Sequence, residues 1–175
     1  EVEKNTINTL KICELLGLDV PVVQGARRPL VKASEIAPEI HGETGMDGPV
    51  LADPKIQVTE GHAVDFIIDQ VMSSTESVTL VPTGPLTNIA MALIKEPRII
   101  ENIDEIVLMG GGTFGNWTPA AEFNIFVDAE AAKVVYDSSV PVTMFGLDVT
   151  HQVIATKDII ERVGKIDNEI AVFVK

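Results

Sequence analysis

The sequence of 175 residues predicts an α/β fold with an open, mainly parallel sheet flanked by helices. Short runs with strand character alternate with helical segments at least three times along the chain. Residues 79–81, 106–109 and 142–145 are short and largely apolar, which is typical of parallel strands covered on both faces. Polar and glycine-rich residues follow these runs, at the sheet edge where ligands bind in such folds.

The first third of the chain combines one helix with a long irregular segment. Apolar residues at helical spacing and a stop signal at Gly17 predict a helix over residues 3–16. Residues 20–25 form a short β-rich run closed by glycine. Residues 26–58 carry four prolines and little periodicity, so they are predicted to be mostly loop. A loop of this length inside a compact domain is usually functional.

The remaining elements alternate regularly between helix and strand. Asp128 and Thr156 are expected to act as N-caps, because a short polar side chain there can accept a bond from a free helix N–H group. The predicted elements are a helix over 60–72, a strand over 77–84, a helix over 85–96, a strand over 103–112, a helix over 128–138, a strand over 140–148 and a helix over 156–164.

Composition and charge limit the classes of function. Hydrophobic residues make up 46% of the chain, which argues against disorder over most of its length. The formal net charge of −13 opposes binding to nucleic-acid polymers and to anionic membranes, which need a basic surface. The expected ligand is small, and neutral or cationic. Neither an apolar run of about 18 residues nor a basic leader is found, so the sequence predicts a cytoplasmic protein. Cys13, the single cysteine, is predicted to fill core space.

The segments that follow two of the predicted strands contain glycine and are candidates for a ligand-binding site. The segment GGGTFG, residues 110–115, matches G-x-G-x-x-G after a predicted strand. A dinucleotide site also needs a helix that opens directly after the glycines, and here Pro119 and its neighbours intervene. The glycines are therefore interpreted as letting the backbone approach another ligand closely. Asp148 and His151 follow the next strand, and they either line a pocket or satisfy loop backbone.

A carboxylate and a carboxamide lie close together before an apolar run. Glu122 and Asn124 bracket Phe123. In an extended segment the two polar side chains would point one way and Phe123 the other. The pattern fits a solvated loop or a polar pocket for a hydroxyl-rich ligand. Residues 40–49 form a second dense polar loop, which is either a flexible surface loop or part of such a site.

Five stretches of the sequence, in this order and spacing, are similar to the nucleoside hydrolases. The similarity is to the inosine-uridine-preferring, or pyrimidine-specific ribonucleoside, branch of the family, and it covers nearly all of residues 1–175. The stretches are HGETGMDGP (41–49), LVPTGPLTNIA (80–90), VLMGGG (107–112), GNWTPAAEFNIFVDAEAA (115–132) and VTMFGLDVTHQ (142–152).

The resemblance implies an activity and a set of site residues. The implied reaction is hydrolysis of the N-glycosidic bond of ribonucleosides to free base and ribose, with a tightly held Ca²⁺. Asn116, Glu122 and Asn124 match residues that hydrogen-bond the ribose hydroxyls. The other matched residues are Phe123, which packs nearby, Met109, beneath the ribose, His41, which lines the pocket by the nucleoside, and Thr83, whose backbone carbonyl coordinates calcium.

The implied chemistry suits these residue types. Breaking the bond builds positive charge on C1′ and the ring oxygen, an oxocarbenium-like state. Carboxylate and amide oxygens stabilise that charge when they are already fixed in place. Calcium would hold the 2′- and 3′-hydroxyls and orient a bound water for an aspartate base. A ribonucleoside is thus the implied partner, and a homo-oligomer, dimer or tetramer, is also expected.

Three parts of the family pattern have no counterpart in this sequence. They are the N-terminal aspartate cluster, DxDPGxDD, an asparagine just after the second strand, and a C-terminal histidine–aspartate pair, so no catalytic base is assigned in this chain. Residues 1–175 are therefore expected to be the central part of a single nucleoside hydrolase-like domain, inactive by itself. An empty strand slot is expected beside the strands that end at Thr83 and Met109. The alternative function is a non-catalytic ribose- or nucleoside-binding or scaffolding module.

Overall fold

A computed structural model describes residues 2–35, 42–48 and 51–174 of the chain. The chain divides into two compact units. The larger unit comprises Gly25–Glu35 and Gly61–Gln152. The smaller unit comprises Glu1–Gln24, Ile36–Glu60 and Val153–Lys175.

A three-stranded parallel sheet forms the centre of the larger unit. Strands β1 (Val78–Leu80), β2 (Ile103–Met109) and β3 (Val142–Phe145) lie in the order β1-β2-β3. Leu80 pairs with Ile106 on one side of β2, and Ile106 pairs with Val142 on the other. Because all three strands run in the same direction, their carboxyl ends meet at one edge of the sheet.

Helices cover one face of this sheet. Burial alternates along β2, where Ile106 and Leu108 are buried while Val107 and Met109 are half-buried. The buried face packs against the apolar sides of α2, α3 and α5, and burying each Leu or Ile contributes roughly 1.5–3 kcal/mol. The helical elements of this unit are α2 (Ala63–Ser73), α3 (Thr87–Lys95), a 3-10 segment (Pro97–Asn102), α4 (Phe123–Val127), α5 (Ala129–Asp137) and α6 (Leu147–Thr150).

Three helices are the regular elements in the described part of the smaller unit. Its helices are α1 (Val2–Leu15), α7 (Lys157–Val163) and α8 (Glu169–Val174). Cys13 is buried on α1, as the sequence predicts. Within residues 2–35, 42–48 and 51–174, no helix has both the length and the apolar character that crossing a membrane requires.

The predicted α/β fold is confirmed, and so are both predicted N-caps. The side chain of Asp128 accepts from the N–H of Ala131, and Thr156 caps α7. The β-rich run at 20–25 is wrong as a strand, because it forms only an isolated bridge between Val23 and Thr59.

One further expectation about the sheet is corrected, and a second is corrected beside β2 only. Both faces were expected to be covered, but within the described ranges β3 exposes most of its side chains. An empty slot was expected beside the strands that end at Thr83 and Met109. It is absent beside β2, because β1 and β3 occupy both of its edges. In the part of the chain that the structure describes, β1 has a neighbouring strand on one edge only.

Candidate functional site

The candidate site begins where β1 and β2 end. The N–H of Met109, the last residue of β2, donates to the carbonyl of Pro82 at 3.1 Å. This bond fixes the exposed Thr83, the next residue along, at the same sheet edge. The carbonyl of Met109 accepts from Nδ2 of Asn124 at 3.2 Å, and Sδ of Met109 lies 3.2 Å from the same nitrogen. Hydrogen bonds therefore join Pro82, Met109 and Asn124 at this strand end, and Thr83 follows Pro82 in the chain.

Glu122 supplies a buried carboxylate next to this strand end. It is the N-cap of α4 and is only 4% exposed. Its Oε2 accepts from the N–H of Ile125 at 3.1 Å and from the N–H of Gly111 at 3.0 Å. In the described ranges both hydrogen bonds of this side chain go to Oε2. One oxygen thus fixes the carboxylate in place, and these bonds do not involve Oε1.

The segment around Glu122 is helical, and the extended geometry considered from the sequence is wrong. Residues Phe123–Val127 form α4, so Glu122 and Asn124 are placed by a helix start and not by strand alternation. The free N–H groups of a helix start attract an acceptor side chain, and Glu122 provides it. Both polar side chains nevertheless reach the end of β2, through Gly111 and Met109.

A tight turn places Asn116 beside the same helix start. Oδ1 of Asn116 accepts from the N–H of Phe123 at 2.9 Å. The turn requires Gly115, because a Cβ there would lie 2.0 Å from the carbonyl oxygen of Thr118. The ring of Phe123 packs edge-on against Trp117, with centroids 5.0 Å apart. Asn116 therefore uses its carbonyl oxygen within the protein, and its Nδ2 remains as a donor.

The glycine segment 110–115 binds groups of the protein itself. Gly111 has φ +72°, a conformation that glycine adopts without strain. Its N–H is the donor to Glu122, and its carbonyl accepts from the N–H of Leu147 at 2.9 Å. Gly146 approaches so closely that a Cβ there would lie 3.0 Å from the carbonyl oxygen of Gly111. The glycines permit a close approach between backbone segments, and the residues that follow them form bends and turns before α4 begins.

Asp148 satisfies the backbone of the glycine segment, one of the two interpretations left open by the sequence. Its carboxylate accepts from the N–H of Thr113 at 3.2 Å and also from the Thr113 hydroxyl. The hydroxyl bond is the main reason that the pKa of Asp148 lies below its ordinary value. The ring of His151 lies 5.4 Å from that of Phe114, so it packs against the same segment.

This lowered pKa predicts a pH-dependent contribution to stability. A group with a depressed folded-state pKa stabilises the fold above its unfolded value, about 3.9 for Asp, and loses that contribution as pH falls through the folded value. We expect wild type to unfold at higher urea concentration than Asp148→Asn near neutral pH, and the gap to narrow on acidification below pH ~4. Urea titrations of both proteins across this range measure it. A gap that stays constant or widens on acidification would contradict the assignment.

A buried carboxylate joins three segments behind the site. Asp128 has no exposed surface. Its Oδ1 accepts from the N–H of Ala131 at 3.0 Å, and its Oδ2 accepts from the Thr87 hydroxyl at 2.6 Å and the N–H of Leu30 at 3.0 Å. These bonds connect the starts of α3 and α5 with residues 25–35. The capping role was predictable from the sequence, whereas the bonds to Thr87 and Leu30 were not.

Lys32 ties the same loop to the end of α4. Its Nζ donates to the carbonyl of Phe126 at 2.9 Å and lies 3.5 Å above the centre of the Phe126 ring. A cation is favoured at the C-terminus of a helix, where carbonyl groups have no helical partner. No local sequence pattern predicts this contact.

The structure brings most of the predicted site residues together. Five lie around the end of β2 and the start of α4, with Thr83 at the same sheet edge, and His41 lies outside the described residues. In residues 2–35, 42–48 and 51–174, no three His, Cys, Asp or Glu side chains are grouped so that they could hold a metal ion. The five residues are Met109, Asn116, Glu122, Phe123 and Asn124.

Curated relatives match almost the whole chain. It is 51% identical over 171 residues to the pyrimidine-specific ribonucleoside hydrolase RihA of Photobacterium profundum, covering 97% of this chain and 55% of that protein. It is 50% identical over 167 residues to the pyrimidine-specific ribonucleoside hydrolase RihB of Escherichia coli, covering 94% of this chain and 53% of that protein. The chain therefore spans about half the length of these relatives.

Solved structures show the same fold. A purine-preferring ribonucleoside hydrolase from Gardnerella vaginalis superposes with a TM-score of 0.93 at 38% identity, over 98% of this chain and 57% of that one. An inosine-guanosine nucleoside hydrolase superposes with a TM-score of 0.92 at 27% identity, over 99% of this chain and 58% of that one. The sequence model described as inosine-uridine preferring nucleoside hydrolase matches residues 1–175. With fold and sequence in agreement, this chain belongs to the inosine-uridine preferring nucleoside hydrolase family.

Proposed function

We propose that the complete protein hydrolyses the N-glycosidic bond of ribonucleosides, releasing free base and ribose. The observation that carries the proposal is the Glu122 carboxylate, buried and fixed by two backbone N–H groups through one oxygen only. Asn116 and Asn124 flank it, each held by one side-chain atom to the backbone. Such fixed polar groups suit recognition of sugar hydroxyls, and the relatives named as ribonucleoside hydrolases support that ligand.

The proposed roles follow from the atoms that remain available. Oε1 of Glu122 accepts a bond from a ribose hydroxyl, and Nδ2 of Asn116 donates to a ribose oxygen. Oδ1 of Asn124 faces the ligand while its Nδ2 stays on Met109. Phe123 packs beside the sugar and Met109 lies beneath it. As the bond breaks, positive charge develops at C1′ and the ring oxygen, and the negative oxygen of Glu122 stabilises it without reorganisation.

The described residues do not by themselves form the calcium site that the resemblance implies. Ca²⁺ takes about six to eight oxygen ligands. The backbone carbonyl of Thr83 is one such ligand, and no cluster of three acidic, histidine or cysteine side chains accompanies it in the described ranges. The proposal that the complete protein binds calcium, with Thr83 as one ligand, therefore rests on the resemblance to the family.

The 175-residue chain alone is expected to lack a tight calcium site. One carbonyl oxygen cannot replace a full set of oxygen ligands, so calorimetric titration with calcium chloride should give no micromolar binding. Thr83→Ala, which keeps the backbone carbonyl, is the matched control and should give the same trace. A micromolar site in the wild-type chain that chelator removes would contradict this expectation.

The proposed function does not specify which nucleobase the substrate carries. The names of the relatives differ between pyrimidine-specific and purine-preferring. The described site residues are assigned to the sugar, so they account for ribose and not for the choice of base. The substrate class proposed here is accordingly the ribonucleosides as a group.

Product analysis tests the proposed function directly. The complete protein is incubated with uridine, inosine and their 2′-deoxy counterparts, and free base and sugar are quantified. We expect ribonucleosides to be cleaved. The 2′-deoxynucleosides should react on the order of 10²-fold more slowly, because without the 2′-hydroxyl the polar groups of the site are left unpaired. Ribose binding without release of base would support the non-catalytic alternative, and equal rates on both sugars would contradict the site assignment.

A further inference from the structure

The segment that follows β3 packs against the glycine segment 110–115 through several independent contacts. The Leu147 N–H donates to the Gly111 carbonyl at 2.9 Å, and Asp148 accepts two bonds from Thr113. The His151 ring packs on Phe114, and Gly146 makes the close backbone approach described above. These contacts hold residues 111–114, the same segment whose Gly111 N–H donates to Glu122.

Gly111 is the residue through which this packing reaches the site. Its carbonyl is bonded to the segment after β3, and its N–H is bonded to Oε2 of Glu122. A shift of the glycine segment would therefore move the donor that orients the carboxylate. Gly111 and Gly112 both have positive φ angles and carry no side chains, so the segment has little intrinsic resistance to such a shift.

We propose that Asp148 is a positioning residue, which holds Thr113 and thereby keeps Gly111 in place to orient Glu122. The proposal rests on the proposed function, because its consequence is measured on the ribose-binding carboxylate. The hydrogen bonds that the Asp148 side chain makes within the described residues go to Thr113, so it acts through the backbone of residues 111–113. The position of such a carboxylate has a large effect on the rate, since a displacement of about 1 Å can lower the rate on the order of 10²-fold.

The chain supplies a matched control for the test. Oγ1 of Thr143 donates to the Glu105 carboxylate at 2.9 Å, which is the same chemical pair on the neighbouring strands. Thr113→Val and Asp148→Ala are compared with Thr143→Val and Glu105→Ala in the complete protein. The first pair should lower kcat on uridine or inosine about 10-fold with KM changed less than about 3-fold, since the orientation of Glu122 matters most in the transition state. The control pair should stay within about 2-fold of wild type, and Thr113→Ser should restore most of the rate because it keeps the hydroxyl.

Amide hydrogen exchange at Gly111 provides a readout that needs no activity. We expect faster exchange of this amide in Asp148→Ala than in wild type, and no change in Glu105→Ala. Kinetics of Thr113→Val and Asp148→Ala equal to the controls would overturn the proposal, as would equal losses in all four variants. If wild type cleaves no ribonucleoside, the proposed function fails, and unchanged exchange at Gly111 would then overturn the positioning role independently.

Discussion

Replacement of Glu122 or Asn124 by alanine is expected to lower kcat/KM for ribonucleosides by on the order of 10² or more in the complete protein. Each change removes one fixed polar group from the proposed sugar contact. The Glu122 carboxylate is buried and held by two N–H groups, so its charge is already oriented before the reaction. Mobile water that fills the space in the variant would stabilise the transition state less well. Steady-state kinetics with uridine and inosine measure the effect.

Glu122→Ala also removes a helix cap, and two variants separate this loss from the loss of the sugar contact. Glu122→Gln keeps an oxygen that can accept from Gly111 and Ile125 while it removes the charge, so it should retain the fold and still lose activity. Thr156→Ala removes the N-cap of α7, a helix that carries none of the residues assigned to the sugar, and should leave the kinetics near wild type. Near wild-type kcat/KM in both Glu122→Ala and Asn124→Ala would make the site assignment untenable.

Asp128→Ala is expected to lower the free energy of unfolding by roughly 3–5 kcal/mol. The substitution removes an N-cap and leaves the hydroxyl of Thr87 and the N–H of Leu30 without their buried acceptor. An unsatisfied buried donor costs about 1–3 kcal/mol. Urea unfolding of the complete protein, followed by far-ultraviolet circular dichroism, measures the change.

A double-mutant cycle with Thr87→Val isolates one of these bonds. The combined loss should be smaller than the sum of the single losses, because both single substitutions break the same bond. Asp137→Ala is the control, since Asp137 lies at the end of the same helix in an exposed pair with Lys133 and should change stability by less than about 1 kcal/mol. Additive losses from Asp128→Ala and Thr87→Val would show that the buried carboxylate does not couple the two segments.

Local sequence patterns predicted the sheet and most helices, and they failed at α4. The alternation of apolar strands with capped helices is a property of short windows, and Asp128 and Thr156 cap helices as expected. The run Phe123–Val127 is largely apolar and only five residues long, so its hydrophobic periodicity cannot distinguish a helix from a strand. Its helical geometry depends on capping by Glu122, whose carboxylate is held by the distant Gly111.

The sequence predicted which residues belong to the candidate site, but it did not predict the contacts that hold them. The resemblance identified Glu122 and Asn124, and the structure brings both to the end of β2. The contacts of Asp148 with Thr113, and of Lys32 with Phe126, join residues 35 and 94 positions apart in the chain. Which donor meets which acceptor over such separations is decided by packing, and no single-sequence pattern contains it.

Trp117 gives the chain a built-in optical probe of the proposed sugar site. It is the only tryptophan among the 175 residues, and its ring lies 5.0 Å from that of Phe123 and 6.1 Å from that of Phe126. Its fluorescence therefore reports on the start of α4, where Glu122 and Asn124 are placed. Movement of this helix start alters the packing around the indole, so emission spectra can follow it without a label or a turnover assay.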